Sequence, residues 1–446
     1  MLTHCTPRAQ PCAALSEWLV FDKSRRRNRP QSDSIGMVML KDVDRMDING
    51  ETTDYRFVNP VELPALTASD LQRHGAGTGA CFESGPAIRL LDRYGASFLD
   101  DPDAVGLFVP EQVGPLQYRY PAAFTAAADR CRLVGYRTLL TPEGRFFTDE
   151  AFAEPHVQEN FLKRRSREDS FSQEATGLIP TGRDGAFRFE PGARRSREVE
   201  GNAVVLCSDE PLSYGSFLFR VVPKVRAVRK LGLTHLPAIA FAHQQAYRDL
   251  LVLSGLPDSS VLLHEMDVIT HIDRAIVPCL RNVHGFMDSE SCELFAEMRA
   301  RYGDRPRGSR IYVSRLALNE AGWSTRVMVN ERQLMDRLAG MGFDIITPEH
   351  LSVREQIAIF AAAELVVGPC GSNMYNTMFC HPGTKVIDIQ SERHWIYSYT
   401  GMYASLGLDF GIFVGKSDPE DQKVVHRRWS VNIEALVARI QTFLRQ

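Results

Sequence analysis

Between residues 202 and 390, short apolar runs alternate with helical stretches, and this alternation restricts the fold more than any other feature of the chain. NAVVLC (202–207), PAIAFA (237–242) and AIVP (275–278) have the length and composition of strands. Helical periodicity runs through SYGSFLFRVVPKVRAVRKLG and QQAYRDLLVLSGL between them, with Pro223 placed to kink the first and Gly255 near the end of the second. A second series follows the helix SESCELFAEMRARYG (289–303) and the charged link DRPRGSR. Its strands are RIYVS (310–314), FDIIT (343–347), ELVVG (364–368) and TKVIDIQ (384–390). Its helices are NERQLMDRLAGMG (330–342), SVREQIAIFAAA (352–363) and SNMYNTMFC (372–380), with Asn330 and Ser352 as N-cap candidates. Strands joined through helices pair in parallel, so the expected class is α/β, with two facing Rossmann-like domains meeting near residue 305 and a ligand cleft between them.

The expected organisation is an N-terminal extension of unclear fold (1–120), an N-terminal Rossmann-like domain (121–304) and a C-terminal nucleotide-binding one (305–446). CRLVGYRTLL, the turn Thr141-Pro142-Glu143-Gly144 and RFFTDE predict a hairpin. Residues 156–200 have the composition of a polar surface insertion, with basic runs at Lys163-Arg164-Arg165 and Arg194-Arg195. His74-Gly75-Ala76-Gly77-Thr78-Gly79 is rich in glycine, but a phosphate loop needs a strand before it, and the preceding ALTASDLQR is polar and helix-like.

Lys and Arg total 52 against 55 Asp and Glu, a near-neutral balance that argues against a nucleic-acid partner. The nine cysteines form no C-x-x-C pair and their number is odd, which fits reduced, buried thiols rather than disulfides or a zinc site. The first fifteen residues hold no signal-like apolar run and no window is long enough to span a membrane. The chain is therefore expected to be cytoplasmic, with peripheral contact at the inner face of the membrane left open by basic clusters such as Arg25-Arg26-Arg27.

The most informative segment is Leu365-Val366-Val367-Gly368-Pro369-Cys370-Gly371-Ser372-Asn373-Met374-Tyr375-Asn376, an apolar strand running through a glycine turn into a helix. At such a turn Gly371 lets the backbone approach a phosphate, while Ser372 and Asn373 offer donors from the first turn. An ordinary capped strand-to-helix connection fits the local pattern equally well. A second cluster, Ser314-Arg315, Arg326 and Asn330-Glu331, follows strand 310–314. Two guanidiniums at a strand end suit a diphosphate; a surface salt bridge beside a helix cap is the alternative.

The order R-I-Y-V-S-R, R-x3-N-E-x2-L, G-F-D-I-I-T-P-E, L-S-x3-Q-I-x2-F and V-V-G-P-x-G through P-G-x-x-V-I-D resembles the family 61 glycosyltransferases, including bacterial capsular-polysaccharide-type members. The likeness is densest over residues 310–390 and extends from the hairpin at 131 through 415. It implies a GT-B-like pair of Rossmann domains and an inverting, metal-independent transferase that needs no cofactor and takes a nucleotide sugar as substrate. The implied acceptor is a glycan or lipid-linked glycan in surface polysaccharide synthesis. Ser314, Arg315, Arg326, Asn330 and Glu331 fall on the family's S-R, R and N-E positions. Gly368, Gly371, Asn376 and Phe379 fall on its glycine loop and helix, and Gln356 on the helix before it. Cys370 stands where the family usually has His, Ser216 where a Y-G/Y-H-F/W-L motif has His, and Asp388 where Glu is commoner. Those replacements motivate an alternative, a catalytically inactive relative that binds nucleotide sugar or glycan.

Asp209 and Glu210, following strand 202–207, are the foremost candidates for the base that deprotonates the acceptor, with Glu331, Glu392 and His394 as rivals and Trp395 as a stacking face. A helix-entry cap is the other reading of the two acids. The D-x-D spacing of Asp101-Pro102-Asp103 would serve a metal-dependent transferase, although the proline and Asp100 resemble a turn.

Overall fold

The computed structural model describes residues 42–43, 54–85, 87–91, 97–98, 116–152, 154–165, 176–183, 185–282, 285–322, 326–391, 396–423 and 427–445. Asp101-Pro102-Asp103, Arg25-Arg26-Arg27, Glu392, His394 and Trp395 lie outside these residues. The chain is mixed α/β and forms two compact units. The described residues within Met1–Ala87, Pro121–Pro211 and Ala227–Leu280 build the first, and those within Ile88–Tyr120, Leu212–Arg226 and Arg281–Gln446 the second. The two units therefore interleave along the chain.

In the first unit, Val268–Pro278 pairs in parallel with Arg195–Val205, which continues in parallel through Ala238–Ala240 to Val261–Leu263. These are the three apolar runs expected from the first series plus one short strand. On its other side Val268–Pro278 meets Ala123–Val134 antiparallel. From there the chain turns twice, at Gly135 and at Thr141–Gly144, so CRLVGYRTLL contains a tight hairpin of its own, pairing Val134 with Thr138, before the expected one pairs Leu140 with Phe146. Gly135 has φ 61°, a left-handed backbone that suits glycine.

Two stretches differ from their sequence reading. Asp54–Phe57 and Gly79–Ser84, from the extension, are strands of this sheet, and so are Leu178–Pro180, Ala186–Phe189 and Arg195–Val205 from the polar stretch. The antiparallel strands make the sheet more than a Rossmann layer. Alternation sorts its core: Leu133, Leu139 and Phe147 join one cluster, while Val134, Leu140 and Phe146 join another. His74–Gly79 joins a short helix, Ala68–Gln72, to a strand, the reverse of a phosphate loop. Its backbone is already held. Gly77 N–H donates to Asp129 at 2.8 Å, and the buried Arg274 donates to the Gly77 carbonyl at 3.2 Å and pairs with Asp129.

In the second unit, strands β1 (Ser309–Val313), β2 (Asp344–Ile346), β3 (Ala363–Pro369), β4 (Lys385–Gln390) and β5 (Asp409–Val414) form a wholly parallel sheet. Their order is β2-β1-β3-β4-β5, extended at β5 by Ser97–Phe98. Helices α1 (Ser289–Tyr302), α2 (Glu331–Ala339), α3 (Val353–Ala362), α4 (Ile396–Ser405) and α5 (Ile433–Arg445) accompany it. Tyr312, Leu365, Val367, Ile387 and Ile389 pack with Leu334 and Leu338 of α2 and Leu436 and Ile440 of α5. Ile311, Val313, Val366 and Val386, buried and of opposite parity, face the other side of the sheet. Burial on both faces explains why these strands read as continuous apolar runs. Ser352 caps α3 through a reciprocal box with Glu355, as its sequence predicts. Among the described residues no helix is long and apolar enough to cross a membrane.

Candidate functional site

The order β2-β1-β3-β4-β5 reverses direction between β1 and β3. In a doubly wound sheet ligands bind outside the carboxyl ends of the strands at that switch point. The residues that leave those two ends are Ser314-Arg315 after β1 and Cys370-Gly371 after β3. The two clusters singled out in the sequence, 56 residues apart, thus meet at the crevice where this topology binds ligands.

The contact between them is close. A Cβ on Gly371 would stand 1.3 Å from Nη1 of Arg315. Gly371 has an extended backbone, φ 163°, so space rather than backbone strain demands glycine there. Gly368 is similarly confined, with Val313 Cβ 3.0 Å and Met374 Sδ 2.8 Å from the position of an added Cβ. Nη1 of Arg315 lies 3.5 Å and Nη1 of Arg326 3.4 Å from the Cys370 carbonyl oxygen, and Arg326 also reaches the Cys370 sulfur at 3.2 Å. Burial and then the Arg326 charge lower the pKa of Arg315, yet a guanidinium keeps its proton at neutral pH. Two cations converging on one loop create a positive site with a preference for an anion.

The remaining residues of the cluster hold this arrangement. The buried Glu331 accepts from Arg315 N–H at 2.7 Å, from the Ser314 hydroxyl at 3.1 Å and from Tyr312 at 3.4 Å. Burial raises its pKa, and these donors oppose the rise. Asn330 sits before α2 as expected, but its side chain makes no cap. It instead donates to the Val431 carbonyl at 2.8 Å and accepts from Val431 N–H at 3.2 Å, so both ends of the amide are spent on fastening the segment before α5.

Beyond Gly371 the chain forms a 3-10 helix, Ser372–Phe379. Asn373 donates to the Ser314 carbonyl at 3.4 Å and to Glu349 at 3.1 Å. Asn376, fully buried, donates to Gln356 of α3 at 2.9 Å and accepts from the Tyr214 hydroxyl at 2.8 Å. Ser372 lies 3.3 Å from Ser213, oxygen to oxygen, and Tyr375 packs so tightly on Gly215 that a Cβ there would come within 2.4 Å of its ring. The Ser213–Phe217 turn, with Ser216 buried inside it, is therefore part of the same site.

Tyr399 and Tyr403 of α4 were not singled out in the sequence. Tyr399 hydrogen-bonds the Cys370 sulfur, but burial outweighs that bond and Arg326, pushing the thiol up to about 11. Cys370 is thus a neutral group at neutral pH. Tyr403 donates to Asp388 at 3.2 Å and Gln390 donates to the same carboxylate oxygen at 2.7 Å. Burial pushes Asp388 up to about 7. Their signal was present in the i, i+4 pair of tyrosines in IYSYTGMYAS, which reads as ordinary core spacing until the partners are known.

Asp209 and Glu210 follow strand Arg195–Val205 in the first unit. Asp209 accepts from Ser208 at 3.2 Å, and its other oxygen lies 3.9 Å from the buried Arg137, which pairs with Asp149 at 3.0 Å and Glu150 at 2.9 Å. Glu210 has φ 50°, a left-handed conformation uncommon outside glycine and frequent at functional positions. Among the described residues no group of His, Cys, Asp or Glu is arranged to hold a metal ion.

Residues 214–387 match the family model described as Glycosyltransferase 61, beginning at the Tyr214 that bonds Asn376 and ending in β4; the chain carries a family 61 glycosyltransferase domain. The family match makes the chain a glycosyltransferase. No curated protein matches the chain.

Proposed function

We propose that the protein transfers a sugar from a nucleotide-sugar donor to a glycan or lipid-linked glycan acceptor in surface or capsular polysaccharide synthesis, by an inverting, metal-independent route. The reading includes a GT-B-type enzyme at the cytoplasmic side of a membrane. The observation that carries it is the convergence of Arg315 and Arg326 on the Cys370-Gly371 turn at the switch point. In the reaction an acceptor oxygen bonds the anomeric carbon as the bond to the diphosphate oxygen breaks. The acceptor proton passes to a base and the leaving group departs as the nucleoside diphosphate anion. The two guanidiniums neutralise that anion as it forms, the task a divalent cation performs elsewhere. Asp209 and Glu210 are the proposed bases, Glu210 supported by its left-handed backbone.

The experiment is a screen of nucleoside diphosphates and nucleotide sugars for a rise in Tm, followed by product analysis with the stabilising donor and glycan acceptors, with and without chelator. A donor that stabilises the protein and is consumed in the presence of chelator supports the proposal. Stabilisation without turnover across acceptors would favour the inactive binding relative instead, and turnover abolished by chelator would overturn the metal-independent mechanism.

A further inference from the structure

The strand beside β3 carries a buried carboxyl group, that of Asp388. Its neighbours in β4, Ile387 and Ile389, pack with α2 and α5, so alternation turns Asp388 to the opposite face of the sheet, where Tyr403 of α4 meets it. In register it lies opposite Gly368, two residues before Cys370. One oxygen, Oδ2, accepts from Gln390 at 2.7 Å and from the Tyr403 hydroxyl at 3.2 Å. The other, Oδ1, is buried and meets no donor among the described residues. A buried carboxyl left half satisfied is costly, and most costly when ionised.

Two paths join Asp388 to the turn that gathers the guanidiniums. The first is mechanical. Tyr399, one helical turn before Tyr403 on α4, stacks against the Tyr403 ring at 6.2 Å between centres and hydrogen-bonds the Cys370 sulfur. The backbone repeats the link, because Cys370 N–H donates to the Ile389 carbonyl at 2.8 Å. The carbonyl of the same Cys370 is the oxygen on which Arg315 and Arg326 converge.

The second path is electrostatic. The titratable and charged groups that bear on Asp388 are Tyr403 and Tyr399 of α4, Cys370 of the turn and Arg326 from the segment before α2. Burial keeps both phenols and the thiol neutral at neutral pH, so Arg326 is the charge that answers an ionised Asp388. Burial pushes the carboxyl up while Gln390, Tyr403 and Arg326 pull it down, and the balance rests at about 7. There a modest change in the surrounding charge moves a proton.

We propose that Asp388 is a positioning residue of the anion site: it sets the Cys370-Gly371 turn through Tyr403 and Tyr399, and it takes up a proton as an anion settles on Arg326 and Arg315. The inference rests on the reading of these two arginines as the anion site. An anion on Arg326 offsets the charge that favours the carboxylate and adds a like charge nearby. Asp388 therefore becomes more basic and binds a proton from the solvent. By linkage, affinity for the anion falls as pH rises through about 7, the reverse of what a titrating phosphate would show.

The test uses inorganic sulfate, whose charge is constant between about pH 6 and 8.5, where a phosphate monoester still titrates. Its Kd for the full chain is taken from the rise in Tm at fixed ionic strength. The parent is expected to bind about tenfold more weakly at about pH 8.5 than at about pH 6, a common size for coupling between two sites. Asp388→Asn keeps an oxygen for Tyr403 and Gln390 but cannot ionise; it is expected to hold the parent's low-pH affinity across the range. Histidines elsewhere titrate alike in parent and variant. Tyr403→Phe removes a donor that favours the carboxylate and is expected to move the midpoint of the profile to higher pH, a shift that a purely structural role would not produce. Arg326→Gln is expected to lose sulfate affinity at both pH values. Sulfate binding that needs Arg326 yet follows one pH profile in the parent and in folded Asp388→Asn would overturn the inference and leave the anion site standing, as would an unmoved midpoint in Tyr403→Phe. Absence of sulfate binding by the parent at either pH would overturn the anion site itself, and the inference with it.

Discussion

Replacing Gly371 by alanine perturbs the site with one methyl group. The new carbon would stand 1.3 Å from Nη1 of Arg315, whereas a comfortable contact needs ~3.5 Å, so the guanidinium must retreat by about 2 Å. The backbone does not resist, because Gly371 is extended and alanine adopts that conformation freely. The atoms displaced are the far end of a long side chain, but a buried one, so the fold accommodates the change at a cost of about 1–3 kcal/mol, a small Tm shift in a chain of this size. Under the proposed function activity is not spared, because a charge that serves a leaving diphosphate loses its effect when moved; a misplacement of about 1 Å already costs on the order of 100-fold. The expected result is a Tm close to the parent, weaker stabilisation by nucleoside diphosphate, and kcat/KM reduced by about 100-fold or more with the best donor. Parent-like turnover in Gly371→Ala would refute the placement of Arg315 at the leaving group. A large loss of stability with nucleotide affinity retained would show instead that Gly371 serves packing alone.

Other expectations follow from the same contacts. Asp388 has a pKa raised to about 7 in the fold against 3.8 for an ordinary aspartate, so its contribution is full below about pH 4 and is lost as pH rises toward and through 7. Urea denaturation across that window is expected to show the parent losing stability, on the order of 4 kcal/mol if no other group compensates, while Asp388→Asn shows a flatter profile. Asn330→Ala removes both bonds to Val431 and is expected to lower stability by about 1–3 kcal/mol in denaturant titration while leaving the nucleoside diphosphate Kd unchanged. Tyr214→Phe deletes the donor to Asn376 and is expected to raise donor KM several-fold with a small Tm loss, measured by steady-state kinetics and thermal melting. A KM equal to the parent's would remove Tyr214 from the site.

The parallel sheet of the second unit was readable because its strands are covered on both faces and so carry uninterrupted apolar side chains. RIYVS, ELVVG and TKVIDIQ need no alternation to be recognised. The first unit obeys a different rule. Arg195–Val205 is a long strand whose amino half reads as RSREVEG, with Arg195 exposed and both Arg195 and Arg197 facing Glu265 at the surface; only from Ala203 does it become continuously buried. Local composition therefore marks the first half as a polar insertion and the second as a strand. Asp54–Phe57 and Gly79–Ser84 were hidden for a related reason, since a short strand half exposed on one face has too few apolar residues to set a period.

At the site, local pattern placed residues and failed to assign their partners. Ser314-Arg315 and Cys370-Gly371 were legible as ends of parallel strands, and the strand order then decides that those two ends, rather than any other pair, border the switch point. Asn330 shows the opposite case. Its position before α2 is that of a cap, and its residue type is right for one, yet a partner 101 residues downstream takes both of its polar ends. Asn376 and Gln356 likewise resemble ordinary helix polar residues until Tyr214, 162 residues from Asn376 in the chain, closes the network. The cost of leaving a buried amide unsatisfied makes such long-range pairing obligatory, and because the partner is chosen by the fold it leaves no trace in the spacing of either segment. What a motif reports reliably is therefore where backbone geometry delivers a side chain. Whether that side chain faces a ligand or a structural partner is decided by the donors and acceptors that the rest of the fold supplies, and Asn330, with both ends of its amide bound to Val431, is held by the scaffold.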